Sequence, residues 1–181
     1  MLSTCFAIHA RIHPKIEHVR AKKMTLMESI ILDKTSRRIL DCLQRDATLS
    51  VQQLADAVGL SPTPVWRRLK ALQESGILRA RVTLVDREKL GLNICVLAHV
   101  TLARHSEGAV EAFERMVATC PEIMECASTT GESDYLVKVV VSDMKAYDRF
   151  LQERLFRQSG VASVRSSVVL REVKYETALP V

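Results

Sequence analysis

Between Leu32 and Gly76 the apolar residues recur three and four apart, the spacing of a single buried helical face. Ser36 is placed to cap a first helix through Ile39, Leu40 and Leu43. Ser50, with Gln53 three residues on, has the arrangement of a capping box. The second helix it starts is apolar at Leu54, Ala55 and Val58, and Ala55 is small where another helix must approach. Gly59 supplies the positive φ that ends this helix and turns the chain. Ser61 caps a third helix, with Pro62 in its first turn where a missing N–H is harmless. Val65, Leu69 and Leu72 form its buried stripe, and Gly76 closes it. The run Ala55, Gly59, Val65 fixes the last two helices as a steeply crossed pair.

Beyond Gly76 the period changes. Residues 77–85 alternate as an extended linker strand, and 86–92 read as a turn or short helix. A strand over 94–102 precedes a helix from about 107 to 118, apolar at Val110, Phe113 and Val117. Strands over 123–129 and 135–141 follow, split by a Gly-containing turn. A helix from about 144 to 155 is expected to bury Met144, Tyr147, Phe150 and Leu151, and a last strand runs from 161 to about 173. The order β-α-β-β-α-β is the ferredoxin-like arrangement, with both helices on one face of an antiparallel sheet. The fold class is therefore α+β: a three-helix helix-turn-helix domain over 32–76, a linker over 77–92 and a ferredoxin-like domain over 93–181. The uncovered sheet face is not polar. Ile94, Val96, Ala98, Val100 and Leu102 fill one side of the first strand while Cys95 and Leu97 begin the other, and 136–141 is apolar on both sides save Lys138. A sheet apolar on both faces must bury the second one, most economically against another copy of the chain.

The third helix turns Thr63, Trp66, Arg67 and Lys70 outward, with Arg68 on its flank. A cationic, hydrogen-bonding helix face suits the major groove of double-stranded DNA. The plainer reading is a solvated amphipathic hairpin, and Trp66 could equally pack on the domain's rim. Net charge does not decide the matter. Of the chain's +5, residues 1–27 supply +4, from Arg11, Lys15, Arg20, Lys22 and Lys23 against Glu17. Local charge does: from Ser61 to Arg81, Arg67, Arg68, Lys70, Arg79 and Arg81 face one acid, Glu74. A homodimer would present two such helices to a roughly palindromic site.

The 181 residues are enough for two small domains behind a leader over 1–31. That leader reads as disordered, or as lying upstream of a start at Met24 or Met27, and it lacks the pattern of a signal peptide. The cysteines at 5, 42, 95, 120 and 126 are odd in number, without CxxC spacing, and imply reduced thiols in a cytosol; a cytoplasmic location is expected, nucleoid-associated if the chain reads DNA. His9, His13 and His18 lack the accompanying ligands of a metal site, and no apolar run reaches membrane-spanning length. His99, His105, Cys120 and Cys126 form no recognisable triad and no phosphate-binding glycine loop exists, so no enzyme is expected. The enzyme is the main competing class, and a second rival is a ligand-binding or assembly protein whose helix-turn-helix serves protein contacts.

Leu32-Asp-Lys-Thr-Ser-Arg-Arg-Ile-Leu, Gly59-Leu-Ser-Pro-Thr-Pro, Gly131-Glu-Ser-Asp-Tyr-Leu and Glu172-Val-Lys-Tyr together resemble the Lrp/AsnC family of bacterial and archaeal regulators, from about residue 32 to the end. One departure is Ser36, where the family usually has Asp. The resemblance implies a winged or plain helix-turn-helix domain, a C-terminal effector-binding RAM domain, and dimers that associate further, often into octamers. It implies no cofactor, but an amino acid or related small molecule as effector. On this sequence the effector loop is Thr129, Thr130, Gly131, Glu132, Ser133, Asp134 and Tyr135. Gly131 can offer backbone N–H groups to a carboxylate and Asp134 can pair with an ammonium, although the same residues are also what a plain hairpin turn needs. Met124, Cys126 and Ser128 alternate on the preceding strand and, with Ser167 and Val169, are weaker candidates for shaping a pocket. DNA contacts are expected from Ser50, Ser61, Thr63, Trp66, Arg67, Arg68 and Lys70.

Overall fold

The computed structural model describes residues 32–103 and 108–181. The expected leader, its histidines, His105 and the start of the helix expected from 107 lie outside the described residues. The chain divides into two compact units, one running to Thr83 and including Glu176–Val181, the other Leu84–Tyr175.

The first unit contains helices α1 (Lys34–Arg45), α2 (Val51–Val58) and α3 (Pro62–Glu74). They close on a core of Ile39, Leu40, Leu43, Leu54, Ala55, Val58, Val65, Leu69 and Leu72, the residues the helical period selects. The capping box is formed: Gln53 N–H donates to Ser50 Oγ at 3.2 Å and Ser50 N–H to Gln53 Oε1 at 2.8 Å. Gly59 ends α2 at φ 72°, in the left-handed region where a side chain is strained. Two local expectations are corrected. Ser36 lies inside α1 and the cap is Asp33, whose Oδ1 accepts from Ser36 N–H at 2.7 Å. Ser61 occupies the N-cap position of α3 but its hydroxyl makes no capping bond. In this unit the C-terminal residues return to α1, where Gln44 Nε2 donates to Leu179 O at 3.0 Å and Leu179 N–H donates to Gln44 Oε1 at 2.6 Å.

The second unit is β1 (Ile94–Leu102), α4 (Ala109–Thr119), β2 (Ile123–Ser128), β3 (Tyr135–Val141), α5 (Met144–Phe150) and β4 (Val161–Val168). The sheet runs β2-β3-β1-β4, with all three pairings antiparallel. Its core joins Val96, Ala98, Val100, Leu102, Val137, Val139 and Val141 to Phe113 of α4 and Tyr147 and Phe150 of α5. The ferredoxin-like expectation holds, with differences at its margins. Residues 77–85 form no strand, because alternation chooses a face but supplies no hydrogen-bonding neighbour. The last strand stops at Val168, where its pairing with β1 ends at Val96. Val110 and Met144 are exposed, not buried. After Phe150 the helix widens into a π-helical turn, Leu151–Leu155, that carries Leu155 into the core. A register break between Ile123 and Glu125 separates residues expected to share a face: Cys126 packs against the core while Met124 is exposed.

Candidate nucleic-acid interface and effector loop

The burial of Val65, Leu69 and Leu72 fixes what α3 shows to solvent. Thr63, Trp66, Arg67 and Lys70 are exposed, Trp66 at 56%. Lys70 Nζ lies 5.6 Å from the Trp66 ring centroid and 3.8 Å from Glu74 Oε1, so Trp66 stands outward as expected, in a cation–π pair on the open face, and not in the alternative rim packing. Arg68 differs: it is half-buried, and its Nη2 donates to Asp33 Oδ2 at 3.1 Å. The Ser36 backbone N–H first, then the Ser36 hydroxyl and Arg68, hold the Asp33 carboxyl down at about 2. Ser50 and Ser61 stand at the starts of α2 and α3. A helix start directs backbone N–H groups outward, where a phosphate is accepted.

In the second unit the loop between β2 and β3 is built on a rigid base. Thr129 N–H donates to Asp134 O at 2.9 Å and the Thr129 hydroxyl to Ser133 O at 2.6 Å. Asp134 N–H donates to Val100 O at 3.0 Å, and Asp134 Oδ2 accepts from Leu102 N–H at 2.7 Å, tying the loop to the end of β1. Ser133 is buried, with Oγ 3.3 Å from His99 Nδ1, a contact the sequence did not signal. Above this base Thr130, Gly131 and Glu132 are exposed, and no atom lies within 4 Å of where a Gly131 Cβ would stand. Glu132 Oε2 accepts from Arg165 Nη2 at 2.9 Å. Tyr135 points into the core: its hydroxyl donates to Glu114 Oε1 at 2.9 Å, and burial, then that carboxylate, push its phenol above the ordinary range. Of the residues expected around an effector, Thr130, Gly131 and Glu132 are therefore presented, while Thr129, Asp134 and Tyr135 also brace the fold.

The sheet face away from the helices carries a cleft of about 670 Å³ between residues 84–93 and 169–175. Its floor includes Met124, Lys138 and Val140, and Lys138 Nζ meets Glu172 Oε1 at 3.5 Å and the Tyr175 ring centroid at 5.3 Å. Cys120 is buried in the core and bonded to Glu122 Oε2 at 3.0 Å; burial first, then Glu122, push its thiol up to about 11, which leaves it unreactive. Among the described residues no group of three or more His, Cys, Asp or Glu is placed to hold a metal ion, and no helix is long and apolar enough to cross a membrane.

Comparison with known proteins places both units. Residues 32–79 match the winged helix-turn-helix DNA-binding model and residues 95–179 the Lrp/AsnC ligand binding domain. The chain is 41% identical over 151 residues to the DNA-binding transcriptional activator DecR of Escherichia coli (strain K12), spanning 83% of this chain and 99% of that protein. It is 38% identical over 148 residues to the leucine-responsive regulatory protein of the same organism, spanning 82% of this chain and 90% of that protein. The structure of the transcriptional regulator NMB0573 in complex with L-Met, from Neisseria meningitidis, superposes with a TM-score of 0.79 at 38% identity, covering 82% of this chain and 96% of that one. With its helix-turn-helix unit, its βαββαβ unit and relatives matched along nearly their whole length, the chain belongs to the Lrp/AsnC family of transcriptional regulators and is a DNA-binding regulator.

Proposed function

We propose that this regulator responds to a free amino acid received at the loop Thr129 to Tyr135, and that it acts as a homodimer able to associate further, up to the octamer expected from the family resemblance. The observation that carries the effector reading is the loop itself, with Thr130, Gly131 and Glu132 standing open on a base pinned by Ser133 and Asp134. An amino acid has two charges to satisfy: its carboxylate meets the backbone N–H groups around Gly131, and its ammonium the Asp134 carboxylate. The L-Met complex of the Neisseria relative supports the same chemistry. The dimer reading is supported by the apolar sheet face, flanked by exposed Leu84, Val85, Leu90 and Leu170. Thr63, Trp66, Arg67 and Lys70 read base edges and phosphates, and Ser50 and Ser61 lie against the backbone of the duplex.

An effector preferring one assembly state shifts the population toward that state and so changes operator affinity or geometry. Thermal shift of the full chain against the common L-amino acids, L-methionine first, tests the site. Raised melting with one or a few of them is expected, and no shift with any at millimolar concentration would sink the reading. Sedimentation with and without the stabilising amino acid then reads the assembly. A monomer at micromolar concentration would refute the dimer.

A further inference from the structure

The cations of the reading helix do not share a face. Successive residues of an α-helix are turned by about 100° around its axis, so Trp66, Lys70, Thr63 and Arg67 fall within an arc of roughly 100°. All four are exposed. Arg68 falls about 150° from the centre of that arc and roughly 70° from the centre of the buried stripe of Val65, Leu69 and Leu72. It is turned back into its own domain. There its guanidinium meets Asp33 Oδ2 at 3.1 Å while Asp33 Oδ1 accepts the Ser36 N–H at 2.7 Å, so one carboxylate both starts α1 and holds α3. α1 also grips α2: its Arg38 donates to Ala57 O at 2.9 Å and to Val58 O at 3.4 Å, at the carbonyl end where a cation is favoured. Apolar contacts press the three helices together but have no direction of their own. A directed bond on the flank of α3 fixes its rotation, and that rotation aims Thr63, Trp66, Arg67 and Lys70.

We propose that Arg68 is a positioning residue for DNA reading: through Asp33 it sets the rotation of α3 and makes no contact with phosphate or base. The proposal rests on the DNA-reading role of the outward face, so Arg67→Ala serves as the control for that role. The full chain is titrated across a salt series on two duplexes of equal length, an operator selected by the unaltered chain from a random-sequence library and the same bases shuffled. Arg67→Ala weakens binding to both and lowers the salt slope by roughly 0.9 for each phosphate contact removed. Arg68→Ala leaves the slope and the shuffled-duplex affinity unchanged and weakens operator binding on the order of tenfold, the loss of about one bidentate base contact. Arg68→Lys, which can restore the ion pair, recovers most of that loss. Asp33→Asn gives an independent reading, because it keeps an oxygen for the Ser36 N–H and makes the chain more positive. General electrostatic attraction predicts tighter binding from it, whereas a lock predicts weaker operator binding. A slope lowered by Arg68→Ala as far as by Arg67→Ala, or an operator bound more tightly by Asp33→Asn, overturns the proposal. An Arg67→Ala chain that binds both duplexes with the parent's affinity and slope overturns the reading face itself, and the lock with it, whatever Arg68 does.

Discussion

Replacing Asp134 separates recognition of an effector from support of the loop that would hold it. Its Oδ2 accepts the Leu102 N–H at 2.7 Å at the end of β1. A hydrogen bond to a charged group contributes about 1.5–3 kcal/mol, but Asp134 is exposed and water can take part of its place, which leaves about 1 kcal/mol. Asp134→Ala is therefore expected to destabilise the second unit by that amount, a fall of roughly 4–8 °C in Tm for a unit of this size. Asp134→Asn keeps an oxygen for the Leu102 N–H and is expected to lose less than half as much. Toward an amino acid the two variants behave alike, since both remove the charge that meets the ammonium. Affinity falls by about 10- to 100-fold, the equivalent of a charge-assisted bond of 1.5–3 kcal/mol. Scanning calorimetry of the two variants, with titration of L-methionine or whichever amino acid stabilises the parent, separates the effects. An Asn variant that melts like the Ala variant yet binds like the parent would make the carboxylate a brace alone and refute its role in recognition.

Three further outcomes test the helical unit. Gly59→Ala meets no atom within 4 Å, so its cost is the left-handed backbone alone, about 1–2 kcal/mol by urea unfolding; a loss below about 0.5 kcal/mol would mean that the turn relaxes. Ser50→Ala removes one half of the capping box and is expected to cost about 1 kcal/mol, with Gln53→Ala adding less in its presence than alone; strict additivity would deny the reciprocal cap. Asp33, depressed from 3.8 to about 2, contributes stability that is fully present above the unfolded value and is lost as pH falls through the folded one. Between about pH 4 and 2 the parent should therefore lose helical circular dichroism more steeply than Asp33→Asn, and parallel curves would contradict the assignment.

What was legible in the sequence was what is local. The capping box, Gly59 and the stripe of Val65, Leu69 and Leu72 each depend on residues within a few positions, and each is formed. Asp33 and Ser36 are both able to cap a helix; the partner that helps hold Asp33 in place, Arg68, stands 35 residues away and leaves no local trace. The same limit explains the strands. Alternation identified β1, β3 and β4, but β4 ends where its neighbour runs out and residues 77–85 alternate with no strand to pair with. The register break that turns Met124 away from Cys126 is likewise a property of the β2–β3 pair and not of either strand. In the loop between β2 and β3, composition pointed to a turn but not to the division of labour within it, since which side chains face inward depends on β1 and α4.

The exposed apolar residues around the open cleft lie together in the second unit. Leu84, Val85 and Leu90 on one side of the open cleft, and Leu170 and Tyr175 on the other, are exposed, with Met124 on the floor between them. Monomeric proteins rarely leave contiguous apolar surface of more than a few hundred Å² in water. Covering this surface is what the proposed dimer would do. Lys138 is the obstacle to covering this face, because taking a lone ammonium out of water costs several kcal/mol. The tail removes the obstacle, bringing Glu172 to 3.5 Å and the Tyr175 ring to 5.3 Å, so the charge enters any interface already partnered from within its own chain. A basic residue in the middle of an apolar strand is thereby compatible with the proposed dimer, and the residues that make it so lie in the stretch after β4 where the sequence pattern had promised only more strand.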